Sequence, residues 1–160
     1  MVLIMHIKNT RNGGFIMFLK KKSNRSAIDL FLEVKPFGKS EWSKDIEVAG
    51  GNIVRFRVHV VNTGDNILRC LTVRNSLPFG VCYIPGSTTI VNVAHPDGII
   101  LSDNINTDLG ANLGDYGSGA GAWIYFNATA DGGKDLRCIV EASAGFKAGV
   151  VADSVCVSCV

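Results

Sequence analysis

The sequence lacks the features that mark several large classes of protein. No apolar run reaches the roughly 18 residues that a membrane-spanning helix needs. Charged residues make up only 19% of the chain, and the formal net charge of +2 is too small to indicate a nucleic-acid partner. There is no G-x-S-x-G motif, Walker loop or dinucleotide-binding fingerprint. The sequence therefore gives no sign of a transmembrane helix, a nucleic-acid-binding surface or a nucleotide-dependent enzyme.

A clean secretory signal is also missing from the first residues. Such a signal places positive charge first, then an apolar stretch, then small residues. Here the apolar stretches Met1–Ile7 and Gly14–Leu19 precede a lysine run at positions 20–22 and Arg25. We interpret the basic cluster as a solvated stretch. The order of these segments predicts either a mis-assigned start or a fragment of a longer protein.

The cysteines are odd in number, so they cannot form a fully paired disulfide framework. The five are Cys70, Cys82, Cys138, Cys156 and Cys159. The last two have C-x-x-C spacing, which is typical of zinc half-sites and redox motifs. Their surroundings alternate like a strand, however, and three positions along a strand place two side chains on opposite faces. Zinc would also need a second ligand pair. We predict free or structural thiols and no cofactor.

None of the three histidines lies in a catalytic motif. His6 falls in the N-terminal segment, His59 on the polar face of a predicted strand, and His95 in a turn. We predict that all three are exposed and non-functional. The glycine-rich stretch at 110–121 is interpreted as a loop, because no helix follows it whose N-terminus would bind phosphate.

Two acidic stretches contain oxygen ligands of the kind that Ca²⁺ prefers: residues 97–108, which include Asp103, and residues 131–135. Neither has EF-hand spacing, so we interpret them as turn carboxylates. Asn24 and Asn127 each begin an N-glycosylation sequon, and Asn127 is expected to point outward on its strand. In most bacteria such a sequon has no consequence.

The sequence does contain the pattern of a β-sheet protein. Hydrophobic residues make up 47% of the chain, and its 18 glycines accompany many Val, Ile and Thr residues. Residues 52–61 alternate between apolar and polar side chains, as in a strand with one buried and one solvated face. The residues predicted to face inward are Val54, Phe56, Val58, Val60, Leu71, Val73, Leu77, Ile124 and Phe126.

About seven or eight antiparallel strands result, with turn signals every ten residues or so. This spacing is typical of an all-β fold, an immunoglobulin-like β-sandwich. No convincing helix interrupts the strands, which disfavours a parallel α/β fold. We assign residues 1–39 to an N-terminal extension of uncertain structure and residues 40–160 to the sandwich domain. Within the extension, Ala27–Val34 fits either a strand or one to two helical turns.

The order of motifs from residue 42 onward resembles the DUF11 repeat, a domain of bacterial and archaeal surface proteins. After the alternating strand come N-x-G at 62–64, L-x-V at 71–73, L-P-x-G at 77–80 and YIPGS at 83–87. Downstream, the stretch "DLGANLGDYGSGAGAWIYFNATA" is similar to the family's Leu-Gly step, glycine-rich turn and Ile-x-Phe-x-Ala strand. The resemblance covers residues 42–160.

The chain departs from the family pattern at a few positions. Asn52 and Asn75 stand where the family often has Asp, and Glu141 stands where it often has Asn. These differences should alter turn and edge hydrogen bonds and leave the fold unchanged. The cysteines are not part of the family pattern.

The resemblance implies an immunoglobulin-like sandwich that serves as a spacer, stalk repeat or adhesion element. It implies a cell-surface or extracellular location, with neighbouring domains or subunits as partners. It brings no catalytic residues. We therefore expect a non-catalytic structural or adhesion module and not an enzyme.

Two aromatic residues form the candidate contact face. Trp123 and Tyr125 fall on the outward side of the strand predicted around 121–130. Aromatics in a row are typical of sugar platforms and of protein contacts. Alternatively, the N-terminal segment or a neighbouring domain covers them. A further alternative is a fibre subunit, in which Phe15–Leu19 or Leu30–Val34 adds a strand to the edge of the next subunit.

Overall fold

Strands dominate the chain. The computed structural model describes residues 3–9, 15–21, 27–145 and 148–160, with side chains for 27–145 and 149–160. The strands are β1 (Leu3–Asn9), β2 (Phe15–Lys21), β3 (Ile28–Pro36), β4 (Asp45–Val48), β5 (Asn52–Asn62), β6 (Thr72–Ser76), β7 (Val81–Tyr83), β8 (Thr89–Val91), β9 (Ile99–Ile100), β10 (Ala111–Asn112), β11 (Gly121–Ala130), β12 (Leu136–Ala144) and β13 (Ala148–Cys159). A short 3-10 turn lies at Asp103–Asn106. No helix within these residues is long and apolar enough to cross a membrane.

Two packed sheets form an immunoglobulin-like β-sandwich, which confirms the predicted fold class. The first sheet has the order β10-β6-β12-β13-β4, and the second has the order β3-β5-β11-β8-β9, with β7 also paired to β11. Among the strands that the structure describes, β1 and β2 pair only with each other. Strand β4 runs parallel to β13, whereas the other pairs are antiparallel. The sandwich has more strands than the predicted seven or eight, because several span only two or three residues.

The hydrophobic core lies between the two sheets. Alternation along β5 and β11 buries Val54, Phe56 and Phe126 completely, as predicted. The rings of Phe56 and Phe126 stack with their centroids 4.7 Å apart and an interplanar angle of 12°. The predicted inward residues of the first sheet follow the same rule: Val73 is fully buried, and Leu77 is partly buried against the core.

Strand β3 belongs to the sandwich, although it precedes the domain boundary that we set at residues 39 and 40. It pairs with β5 along its whole length, and its side chains Leu32 and Val34 are fully buried. Val34 also exchanges two backbone hydrogen bonds of 2.9 Å with Ser43. The Pro36–Gly38 break is a tight turn, in which Gly38 has a φ of 78°. The segment 27–34 is thus part of a strand, and the folded unit includes it.

This arrangement bears on the fibre alternative. Leu30–Val34 occupies the edge of its own sheet, next to β5. Phe15–Leu19 lies within β2 and pairs with β1 of the same chain.

The lysine run at 20–22 lies partly outside the described residues. Arg25 and Asn24 lie wholly outside them, as does the side chain of His6.

Candidate contact surface

Aromatic and cationic side chains cluster on the outward side of the second sheet. Because side chains alternate along a strand, every second residue of β3, β5 and β11 points away from the core. The pairing register arranges them in rows that run across the three strands. The rows are Phe31–His59–Trp123, Glu33–Arg57–Tyr125 and Lys35–Arg55–Asn127. We call these rows, together with Trp42 and Lys44 from the segment after β3, the outer face.

His59 and Trp123 form a stacked pair on the outer face. Their ring centroids are 3.9 Å apart and the rings are nearly parallel, at 10°. Partial burial lowers the pKa of His59, the charge of Asp29 opposes this, and the charge of Arg57 adds to it. The net effect lowers the pKa from 6.5, so the imidazole stacks on Trp123 in its neutral form at pH 7. His59 is therefore a packed residue and not the exposed histidine that we predicted.

Trp42 leans over the same face from the segment between β3 and β4. The Arg57 guanidinium lies 4.5 Å from the centre of the Trp42 ring and 5.1 Å from that of Trp123. Glu33 fixes Arg57, because its carboxylate accepts hydrogen bonds from the Nε, at 3.0 Å, and from Nη2. The Trp42 ring also lies 6.2 Å from that of Tyr125, tilted by 50°. Arg57 thus contacts both tryptophan rings and joins them into one cluster.

Two further cations lie over aromatic rings of the outer face. Lys35 is 4.7 Å from the centre of the Trp42 ring, and Arg55 is 5.1 Å from that of Tyr125. Contacts of this kind contribute about 0.5–1 kcal/mol each at exposed sites. Several rings of the cluster therefore have the protein's own cations over them. These rings therefore do not present the flat, open face on which a neutral sugar would stack.

Lys44 and Asp153 connect the outer face to the first sheet. Lys44 lies 4.2 Å from the Phe31 ring centre and forms an ion pair with Asp153 of β13. The same carboxylate accepts a 2.7 Å hydrogen bond from the Leu32 N–H on the open edge of β3. Burial favours the neutral acid, but the hydrogen bonds from Lys44, Leu32 and Ser154 together hold the pKa of Asp153 below its usual value. An ionised Asp153 thus links β13 of the first sheet to β3 and Lys44 at this edge of the sandwich.

A shallow groove of about 550 Å³ lies beside Trp123. The groove is lined by side chains of His59, Val91, Val93 and Pro96, among others, and by Gly119 and Gly121, just before and at the start of β11. Gly121 leaves this space open: a Cβ there would lie 2.6 Å from the Val60 carbonyl oxygen, so no side chain fits. The groove extends the outer face at one end.

A second cavity, of about 540 Å³, lies at another part of the sandwich and is mostly apolar. It is lined by Pro78, Leu136 and the fully exposed Phe79, with Cys82 and Asp131 at the polar side. A hydrogen bond to Asp131, desolvation and the Asp131 charge raise the pKa of the Cys82 thiol. A raised pKa makes this cysteine a poorer nucleophile than an ordinary thiol at neutral pH.

The five cysteines are all free thiols in the structure. Cys138 is buried, and desolvation raises its pKa to about 12, with a smaller contribution from Cys156. Cys159 packs partly against the core. Within the described residues, no group of three or more His, Cys, Asp and Glu side chains is placed to hold a metal ion.

The other predicted features have plain structural roles. Asp103 accepts hydrogen bonds from the Tyr83 hydroxyl, at 2.5 Å, and the Gly86 N–H, at 2.9 Å, so it is the turn carboxylate that we predicted. These bonds lower its pKa. Asn127 faces outward as predicted but is half-buried, and its Oδ1 has no hydrogen-bond partner among the described residues.

Sequence reasoning placed Trp123 and Tyr125 on an outward face but missed most of their neighbours. Arg57 and Trp42 were not singled out, although both touch the predicted aromatics. Arg57 could have been found, since it alternates onto the same side of its strand as His59. Trp42 could not, because the path of the segment after β3 depends on its backbone pairing with Val34.

The chain is similar in fold to several solved bacterial structures. The C-terminal domain of the AgI/II polypeptide BspA from Streptococcus agalactiae matches with a TM-score of 0.52 and 13% identity, over 81% of this chain and 49% of that chain. The T6 backbone pilin of serotype M6 Streptococcus pyogenes matches with a TM-score of 0.49 and 15% identity, over 98% of this chain and 42% of that one. The chain thus spans about half or less of the length of these two structures.

Two further solved structures match more weakly. The collagen-binding domain of a Staphylococcus aureus adhesin matches with a TM-score of 0.42 and 12% identity, over 65% of this chain and 87% of that chain. A family 123 glycoside hydrolase from Clostridium perfringens matches with a TM-score of 0.45 and 10% identity, over 82% of this chain and 27% of that one. No family model matches the chain, and no curated protein matches it in sequence. At these identities the likenesses show the fold alone.

Proposed function

We propose that the chain is a non-catalytic structural or adhesion module of a cell-surface or extracellular protein, related to the DUF11 repeats. One observation carries this proposal. The Asn, Pro and Gly residues of the motifs on which the family resemblance rests form the turns that the fold needs. Their side chains and backbone conformations hold loops in place, which supports a scaffold and not a chemical site.

Asn62 of the N-x-G motif holds three loop segments together. It is fully buried, and its Nδ2 donates hydrogen bonds of 2.8 Å to the carbonyls of Asn66 and Tyr116. Its Oδ1 accepts a 3.0 Å hydrogen bond from the Gly64 N–H. Only glycine fits at that position, because a Cβ would lie 2.7 Å from the Cβ of Ala27. The motif therefore ties the end of β5 to the start of the sandwich.

The L-P-x-G and YIPGS motifs also build turns. Gly80 has a φ of 97°, and a Cβ there would lie 2.2 Å from the Gly132 carbonyl oxygen. The Pro78 carbonyl accepts the Val81 N–H at 3.0 Å, which closes the turn before β7. Gly86 has a φ of 71° and donates its N–H to Asp103. Gly80 thus requires glycine for both conformation and space, and Gly86 for its conformation alone.

The location is tested by labelling cells of the source organism with an antibody raised against the purified chain. Intact cells should bind the antibody, and permeabilised cells should add little signal. An antibody to a ribosomal protein serves as the control, because it should label permeabilised cells only. Labelling that requires permeabilisation would contradict a surface or extracellular module.

The outer face favours partner contact over a purely spacing role. Trp, Tyr and Arg side chains are enriched where proteins bind one another. A carbohydrate-binding role would instead need ring faces open to the ligand. Titration with neutral oligosaccharides should therefore leave the Trp fluorescence unchanged, and a saturable change would favour the carbohydrate role.

A further inference from the structure

We propose that a patch at one end of the outer face binds an acidic protein surface in which a carboxylate adjoins an apolar side chain. It consists of Lys35 and Arg55 of the outer face and the adjoining Phe37 and Ile53. We call these four residues the cation patch. The inference deepens the proposed function and rests on it for the location, the cell surface or the extracellular space, at which the partner is bound. It adds the chemistry that the partner must supply.

The cation patch contains two like charges placed side by side. Lys35 and Arg55 are directly opposite each other on β3 and β5. Such cross-strand pairs of equal charge are destabilising. Elsewhere on the outer face the cations are neutralised, since Arg57 pairs with Glu33 and Lys44 with Asp153. Neither Lys35 nor Arg55 forms an ion pair with any carboxylate of the described residues. An external carboxylate between them would remove the repulsion.

Aromatic rings hold these two cations in place. Lys35 lies over Trp42, and Arg55 lies over Tyr125. A ring engages a cation through its charge and uses none of the N–H donors, so both side chains keep donors for an incoming carboxylate. Restricting the two side chains beforehand lowers the entropy cost of binding. The cation patch is therefore organised before a partner arrives.

Two exposed apolar side chains indicate which kind of anionic partner the cation patch binds. Phe37 is 55% exposed and Ile53 is 39% exposed. The Phe37 N–H donates a 2.9 Å hydrogen bond to the Ile53 carbonyl, which continues the register from the Lys35–Arg55 pair. An acidic polysaccharide would neutralise the cations and stack on the Phe37 ring, but it has no aliphatic side chain to cover Ile53. A protein surface supplies a carboxylate and an apolar side chain together.

The test uses the full chain labelled with ¹⁵N and three end-blocked hexapeptides as probes. GELELG carries carboxylates and leucines, GQLQLG lacks the charge, and GESESG lacks the apolar groups. Oligogalacturonate represents the polysaccharide. Only GELELG should shift the amide signals of residues 35–37 and 53–55 in a saturable way. Replacing both cations, Lys35→Gln with Arg55→Gln, should weaken its binding about tenfold, as expected for a lost charge-assisted contact.

Matched variants make the outcomes decisive. Lys134→Gln with Arg137→Gln removes the same charge from two exposed sites elsewhere and should change the affinity less than about twofold. Phe37→Ser should weaken GELELG towards the level of GESESG. Equal losses in both double variants, binding of oligogalacturonate at the patch as tight as that of GELELG, or no localised shifts would overturn the inference. A chain found only inside cells would refute the surface location and leave these results unchanged.

Discussion

At the scale of single residues, His59 gives the outer face a defined pH dependence. Its folded pKa lies below the value of 6.5 for the unfolded chain, because partial burial disfavours the charged ring. The unfolded chain therefore binds more protons as the pH falls through 6.5, and the folded chain loses stability. This stability is fully present above 6.5 and is lost as the pH falls towards the folded pKa.

We expect the melting temperature to fall between pH 7.5 and pH 5.5, and to fall less in His59→Gln. His95→Gln is the control, since His95 is exposed in a turn, and it should keep the slope of the unmodified protein. Scanning calorimetry at several pH values measures this. Identical slopes for the unmodified protein and His59→Gln would contradict the packed, neutral histidine.

The cysteines should differ sharply in reactivity. Cys138, buried and with its pKa raised to about 12, should be alkylated last in the folded protein. Cys82 is exposed but hydrogen-bonded to Asp131, which raises its pKa, so Asp131→Asn should accelerate its alkylation. Iodoacetamide labelling followed by peptide mass spectrometry gives each rate. Asp135→Asn is the charge-matched control, and an equal acceleration by both variants would argue against the Cys82–Asp131 bond.

At the scale of elements, β3 decides where the folded unit begins. Its core residues Ile28, Leu32 and Val34 each contribute roughly 1.5–3 kcal/mol by burial. Their sum is comparable with the whole stability of a typical domain, which is about 5–15 kcal/mol. A chain that starts at Ala27 should therefore unfold cooperatively near the melting temperature of the full chain. A chain that starts at Ser40 should lack a cooperative transition.

Circular dichroism during heating distinguishes these two truncations. Light scattering on both, beside the full chain, reports assembly. If the chain from Ser40 melts as the full chain does, β3 is dispensable and the boundary at residues 39 and 40 is the better one. If the full chain forms long polymers that the chain from Ala27 does not, the fibre alternative gains support through residues 1–26.

The long strands were predictable because alternation alone defines them. β5 and β11 each bury one face, and a slip of one residue would expose Phe56 and Phe126. Strands β9 and β10 were not predictable, since two residues contain no period. The parallel pairing of β4 with β13 could not be predicted from the sequence either, because it joins residues about a hundred positions apart.

The candidate face was predictable only in part, for a related reason. Alternation assigns Trp123 and Tyr125 to one side of β11, but it cannot tell which side chains of other strands lie opposite. The Trp123–His59 and Tyr125–Arg57 pairs follow from the register of β5 against β11. Asn75 shows a similar limit. The departure from the family pattern was expected to alter only turn and edge hydrogen bonds, but Asn75 is buried and its amide has no hydrogen-bond partner among the described residues.

At the scale of the whole molecule, fold-forming and contact-forming residues occupy different places. The motif residues, such as Asn62 and Gly80, hold turns at the ends of strands. The outer face lies on the second sheet, and where the Ile-x-Phe-x-Ala strand contributes to it, Tyr125 and Asn127 occupy the positions that the motif leaves unspecified. One scaffold can therefore carry different contact surfaces without a change of fold.

The most direct test of this account is hydroxyl-radical footprinting of the protein in its native surface assembly, compared with the purified full chain. We expect Phe37 to be protected in the assembly, because the cation patch is then covered by its partner. Phe79, fully exposed and outside the outer face, provides the internal reference and should react equally in both samples. Equal reactivity of Phe37 in the two samples would contradict the claim that the cation patch, at one end of the outer face, is a contact surface of this module.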